Sequence, residues 1–168
     1  MEFGVDCDMT LALTGDLRKR TAKLLIMKLS PNVTDIGEIA RAAEDGGADA
    51  VSAINTVTAM SVSPETRRPH ISTKIGGLSG PAIRPIGIAS VYKISQAVNI
   101  PVIGIGGITS GSDAVEYLLV GATAVEVGTA NFRDPAIGLN ILDELEAYCR
   151  LHDISELSSL VGGIEDDA

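Results

Sequence analysis

The sequence has no tryptophan, only two phenylalanines and only three tyrosines. Any core it builds is therefore filled mainly by aliphatic side chains and by close approach of small residues, because bulky aromatics are scarce. Cysteine is almost as rare. Cys7 and Cys149 stand alone, which excludes a disulfide framework and any metal motif made of spaced thiols, so no metal is expected. Basic residues number 13 against 22 acidic ones, leaving a formal charge of −9. Such a chain lacks the clustered Lys and Arg that neutralise a phosphate backbone, so nucleic acid is not an expected partner. No apolar run reaches the roughly 18–20 positions of a membrane span, and the opening MEFGVDCDMT has no secretory pattern. These absences read as a cytoplasmic protein with two free thiols and no membrane contact.

What is present is a chain of 168 residues, 45% hydrophobic, with 18 glycines. Its length fits one domain, 1–168. Four short apolar runs read as buried strands: Leu24–Leu29, Ala50–Ile54, Pro101–Ile105 and Ala124–Val127. Their near-continuous apolar character favours parallel strands covered on both faces. Helical patterns follow each run. Thr34 or Asp35 caps a helix carrying Ile36, Ile39, Ala40 and Ala43 and ending at Gly46-Gly47. Ile88, Val91, Ile94 and Val98 mark a second, reached through Pro85. Ser112 or Asp113 opens a third, with Val115, Leu118 and Leu119 inward and Gly121 as its stop. Pro135 starts a fourth, bearing Ile141, Leu142, Leu145 and Tyr148. A helix over about Met9–Lys23 precedes them, and Asp153 caps a short last one to about Val161, before an acidic tail, GGIEDDA.

Strand and helix alternate four times, which is parallel α/β. The repeat is about 25 residues, the unit of a (β/α)8 TIM-type barrel, but a whole barrel needs about 250 residues. The expectation is therefore a half-barrel of about four βα units. An open doubly wound sheet is the alternative. One insertion, from Val57 to Arg84, breaks the repeat with prolines and glycines and no helical period, and reads as a functional loop.

Every strand ends in polar or glycine residues: Lys28 to Asn32, Asn55-Thr56, Gly106-Gly107 and Gly128-Thr129. In a barrel these ends share the C-terminal face, where active sites are built. Lys28 lies in an apolar run, where a charge needs a partner. It is either a lysine snorkelling out of the strand or a cation aimed at a ligand. Asn55 and Thr56 read as turn residues or as ligand contacts. The glycine pairs are tight turns, or places where backbone N–H groups close on a phosphate at a helix N-terminus. Gly76-Gly77-Leu78-Ser79-Gly80 is a hinge or a second such approach. His70 and His152 read as surface residues. Asp113 and Asp134 read as helix-start residues, and Cys7, between Asp6 and Asp8, as a disfavoured thiolate.

The stretches KLSPNVTDI, AINTVTAM, GGLSGPAIRP, NIPVIGIGGI and GATAVEVGTANF closely resemble, in order and spacing, the C-terminal half of dihydroorotate dehydrogenase, in its NAD-linked class. The resemblance runs from about Phe3 to the end. It implies an FMN-dependent oxidation of dihydroorotate to orotate in pyrimidine (UMP) biosynthesis. It also implies a partner subunit carrying FAD and an iron–sulfur centre that passes electrons to NAD, and a homo-oligomer. By the same resemblance Lys28 meets the flavin ring and favours its reduced form, and Ile54 touches it through the backbone. Gly80, Gly106, Gly107, Gly128 and Thr129 hold the ribityl phosphate, and Asn55 and Thr56 bind the substrate. The family's cysteine base lies on a loop that falls upstream of Met1, and Cys7 does not correspond to it. The expectation is therefore no catalytic base in this chain and no activity alone. A non-catalytic half-barrel that binds flavin or phosphate, and a different FMN-dependent barrel oxidoreductase, are the alternatives.

Overall fold

A computed structural model of the chain describes residues 4–165. Met1, ahead of which the catalytic base is expected, lies outside the described residues, as does Phe3, where the resemblance begins. The first element is α1 (Cys7–Arg20), capped by Asp6, whose carboxylate accepts the Met9 N–H at 2.8 Å. It starts and stops about two to three residues ahead of the expected Met9–Lys23, because an aspartate satisfies amides that would otherwise be orphaned. Strand β1 (Ile26–Leu29) leads to α2 (Ile36–Asp45), capped by Asp35 through the Gly37 N–H. Then come β2 (Ala50–Ala53), an excursion, α3 (Arg84–Ser95), a strand (Val102–Ile105), a helix (Gly111–Leu119), a strand (Ala124–Glu126) and a final helix (Ile137–Leu151).

The excursion is the expected insertion, and it is ordered. Strands β3 (Val57–Ala59) and β6 (Gly76–Leu78) pair antiparallel, and β4 (Val62–Ser63) pairs with β5 (Arg68–Pro69) beyond them. A turn of 3₁₀ helix, Pro81–Ile83, brings the chain into α3. In chain order the remaining elements are β7 (Val102–Ile105), α4 (Gly111–Leu119), β8 (Ala124–Glu126) and α5 (Ile137–Leu151).

The main sheet has the order β1-β2-β7-β8, parallel throughout, which is the arc expected of half a barrel. Register sorts its side chains into two sets. Met27, Val51 and Val102 form one row, and Leu29, Ala53, Gly104 and Val125 the next. These rows lie under α2, α3 and α4, and Leu29, Val51, Ala53 and Val102 join the buried core. Burying each such Leu, Val or Ile contributes about 1.5–3 kcal/mol. The opposite rows carry Lys28, Ser52, Ile103 and Ala124, then Ile105 and Glu126. Lys28 is exposed there, and Ile103, Ile105 and Glu126 are half-buried.

Three expectations at helix ends need correction. Helix α4 is capped by Ser110, not by Ser112 or Asp113: the Ser110 hydroxyl accepts the Asp113 N–H at 3.1 Å, and one cap suffices. Helix α5 begins at Ile137, two residues after Pro135, because Asp134 ties down the Ala136 N–H at 2.9 Å. Asp153 caps nothing; it sits at φ +54, and the last expected helix is a single 3₁₀ turn, Leu157–Leu160. Leu142 on α5 is exposed, outside the buried stripe of Ile141 and Leu145. The last acidic residues, Asp166 and Asp167, lie outside the described residues.

Candidate functional site

A cavity of about 430 Å³ opens at the C-terminal ends of the four parallel strands. Lys28, Ile54, Asn55, Thr56, Gly80, Gly106, Gly107, Gly128 and Thr129 all line it. They come from separate turns of the chain, so only the parallel pairing of the strands brings them together. The insertion contributes its far end, Ser79 to Ile83, to the same wall.

The polar groups differ in how firmly they are held. Asn32, two residues beyond the first strand cluster's Ser30, braces the rim: its amide donates to the Thr56 carbonyl at 3.1 Å and its oxygen accepts the Thr58 N–H at 2.9 Å. The Ile54 and Asn55 amides donate to Ile105 and Leu29 carbonyls at 2.7 and 2.9 Å, and the Ala53–Ile54 peptide is cis. By contrast, the side chains of Lys28 and Asn55 make no hydrogen bond or ion pair among the described residues. The amides of Gly107 and Ile108 likewise have no partner there. Thr129 and Ala130 open a 3₁₀ turn, so their N–H groups are orphaned in the way that suits an anion.

The α4 N-terminus is not such a place, contrary to the expectation that this helix start would receive a phosphate. The Glu144 carboxylate of α5 already accepts the Gly111 N–H at 2.5 Å. The buried Asp113 carboxylate accepts both the N–H and the hydroxyl of Thr109 at 2.8 Å. Two protein carboxylates thus occupy the positive end of the helix. On this side the amides without a partner among the described residues are those of Gly107 and Ile108.

Several neighbours of these residues escape a reading of motifs. Arg84, at the head of α3, forms an ion pair with Asp113 and stands 3.6 Å from Glu116. Asp113 is therefore more than a helix-start residue, though nothing but its place in the first turn hints at it. Tyr117 on α4 donates its hydroxyl to the Gly106 carbonyl at 2.8 Å. Arg133 and Asp134 also line the cavity, and Asp134 is engaged by the Ala136 N–H and the Asn140 amide.

The remaining candidates lie elsewhere. Cys7 borders a separate depression with Asp6, Asp8 and Glu38. Partial desolvation, then Glu38, Asp6 and Asp8, push its thiol up, with Arg41 opposing. The sequence suggests Asp6 and Asp8, but Glu38 arrives only with α2. His70 and His152 are exposed; His70 pairs with the Ser61 hydroxyl at 2.8 Å. Among the described residues no helix is long and apolar enough to cross a membrane, and no group of three or more His, Cys, Asp or Glu is placed to hold a metal.

A parallel β/α arc with its cavity at the strand C-termini is the architecture of part of a (β/α)8 barrel. Residues 1–149 match the family model described as dihydroorotate dehydrogenase, and the chain belongs to that family. It is 50% identical over 164 residues to the catalytic subunit of dihydroorotate dehydrogenase B (NAD(+)) from Porphyromonas gingivalis, covering 98% of this chain and 53% of that protein. To the same subunit from Geobacter sp. it is 48% identical over 163 residues, covering 97% and 53%. A solved structure of DHODH from Eimeria tenella in complex with ferulenol matches with a TM-score of 0.78 at 25% identity, over 94% of this chain and 48% of that one. The chain spans about half the length of the curated relatives it matches.

Proposed function

We propose that this chain forms the FMN- and substrate-binding half of a dihydroorotate dehydrogenase active site, serving oxidation of dihydroorotate to orotate in the cytoplasm. The observation that carries this is the convergence of all nine candidate residues on one cavity, which among the described residues brings together an unpaired Lys28 and the unpartnered amides of Gly107 and Ile108. The residues fit the group. The position a Gly128 side chain would take is open, with only Ile105 Cδ1 near, at 3.9 Å, and nothing lies within 4 Å of that of Gly80.

In this reading the amides of Gly107, Ile108 and Thr129 hold the phosphate, with Gly80, Gly106 and Gly128 leaving room for it. Lys28 and the Ile54 backbone face the ring. Asn55 and Thr56 offer donors to the substrate carboxylate. When bound, FMN supplies the acceptor for the hydride that leaves the substrate. Removing the accompanying proton requires a base within hydrogen-bond reach, worth about 10²–10⁴-fold. No cysteine or histidine lines the cavity among the described residues, and its one carboxylate, Asp134, is already bound to Ala136 and Asn140. By the family resemblance the base is a cysteine on a loop that is not among the residues lining this cavity, so the cavity as lined here holds flavin and substrate without a base of its own. Electrons leave through a partner subunit with FAD and an iron–sulfur centre, to NAD, and the assembled protein is a homo-oligomer.

Anaerobic mixing of the FMN-loaded chain with dihydroorotate tests this, following flavin bleaching. Bleaching no faster than with free FMN is expected, rising when a polypeptide carrying the family's other half-barrel is added. Failure to bleach after that addition overturns the assignment. Rapid bleaching by the chain alone overturns the missing base.

A further inference from the structure

Tyr117 heads the fully buried side chains by volume among the described residues. Its ring lies across Gly104 of β7 and Gly87 of α3, where any side chain would overlap it, and its hydroxyl reaches the Gly106 carbonyl. Gly106 and Gly107 have φ of +138 and +70. Without Cβ atoms, a peptide between two such residues meets little steric resistance to turning over. In a trans peptide the carbonyl and the following N–H point to opposite sides. Among the described residues the only cis bond is Ala53–Ile54. The hydroxyl that holds the Gly106 carbonyl toward α4 therefore turns the Gly107 N–H away from α4, and both glycines line the cavity.

Both flanks of this peptide are already pinned. Arg84 and Asp113 join the heads of α3 and α4, and Asp113 fixes Thr109. The Gly106–Gly107 peptide is the part left to be set. We propose that Tyr117 is a positioning residue for anion binding, its hydroxyl locking this peptide so that the Gly107 amide faces a phosphate in the cavity. The proposal rests on the phosphate-binding reading above. Desolvation pushes the phenol well above its ordinary value, with Arg84 opposing and Glu116 adding, which favours the protonated, donating form.

The test compares FMN with riboflavin, which lacks the phosphate, by flavin-fluorescence titration of the wild-type chain and of Tyr117→Phe. The variant keeps the ring against Gly104 and removes only the hydroxyl, which also stands over Gly87. Wild type is expected to prefer FMN, and Tyr117→Phe to cut that preference about tenfold, in line with a weakened hydrogen bond to a charged group. Riboflavin affinity should stay within about twofold, since the ring pocket is untouched. Equal weakening of both flavins, or an unchanged preference, overturns the proposal and leaves the binding reading standing. A wild-type chain that does not distinguish the two flavins overturns both. A second measurement needs no variant: on titration of the wild-type chain with inorganic phosphate, the Gly107 amide resonance should shift. If it stays still while neighbouring cavity amides move, the proposal fails.

Discussion

Gly107 and Gly80 meet backbone to backbone: a β-carbon on Gly107 would stand 2.7 Å from the Gly80 carbonyl oxygen and 2.9 Å from Arg84 Cβ. The absent side chain thus lets two walls of the cavity touch, which a tight turn alone would not require. Gly128 is different, with φ −102 and open space where its side chain would be. Gly107→Ala should therefore lower stability by about 1–3 kcal/mol, as overpacking against backbone does. Gly128→Ala should leave the melting temperature nearly unchanged and weaken FMN. Calorimetry beside flavin titration separates the two, and the reverse pattern would contradict the geometry.

Tyr117 makes a second prediction about packing. A side chain at Gly87 would collide with its hydroxyl, and one at Gly104 with its ring. Gly87→Ala should cost about 1–3 kcal/mol in urea unfolding. In the background Tyr117→Phe that cost should shrink, because the hydroxyl is gone and coupled neighbours are not additive. Equal costs in both backgrounds would place Gly87 out of contact.

Lys28 is exposed on the row of the sheet that faces away from the helices, and no carboxylate pairs with it among the described residues. Its charge is therefore available to whatever fills the cavity. In a protein with both halves of the barrel, Lys28→Ala should lower the midpoint potential of bound FMN. A loss of about 1.4 kcal/mol of charge stabilisation is about 30 mV for a two-electron couple. A potential that stays put would reduce Lys28 to a strand-end residue.

Asp49 links the first βα unit to α1. Its carboxylate accepts the Leu25 N–H at 2.7 Å and the Arg18 guanidinium at 2.5 Å, and these hold its carboxyl below the ordinary value of 3.8. A lowered carboxyl stabilises the fold above its unfolded value, and that stability is lost as pH falls through the folded value. The melting-temperature gap between wild type and Asp49→Asn should be steady near neutrality and narrow below about pH 4. A gap that persisted to pH 3 would mean that the effect is not ionic.

Periodicity and the chemistry of strand ends were enough to read the parallel β/α order, a helix started by Thr34 or Asp35, and the glycine and polar residues at the strand exits that line the cavity, while Ile54 is placed only by the family resemblance. Strands buried on both faces write themselves as apolar runs, and a barrel-type fold collects every strand exit on one face. What sequence could not specify is which backbone groups are already taken. Glu144 reaches the α4 N-terminus from α5, Asp113 turns to Arg84, and Tyr117 reaches back to Gly106; each partner is remote in the chain or separated by a loop. Nor could a run of glycines and prolines declare that Val57–Ala59 and Gly76–Leu78 would pair, because three-residue strands carry too little pattern and are stabilised by the neighbours they meet. The composition of the site is local and therefore legible. Its hydrogen-bond pattern is a property of loops brought together in space, and only the tertiary structure decided it.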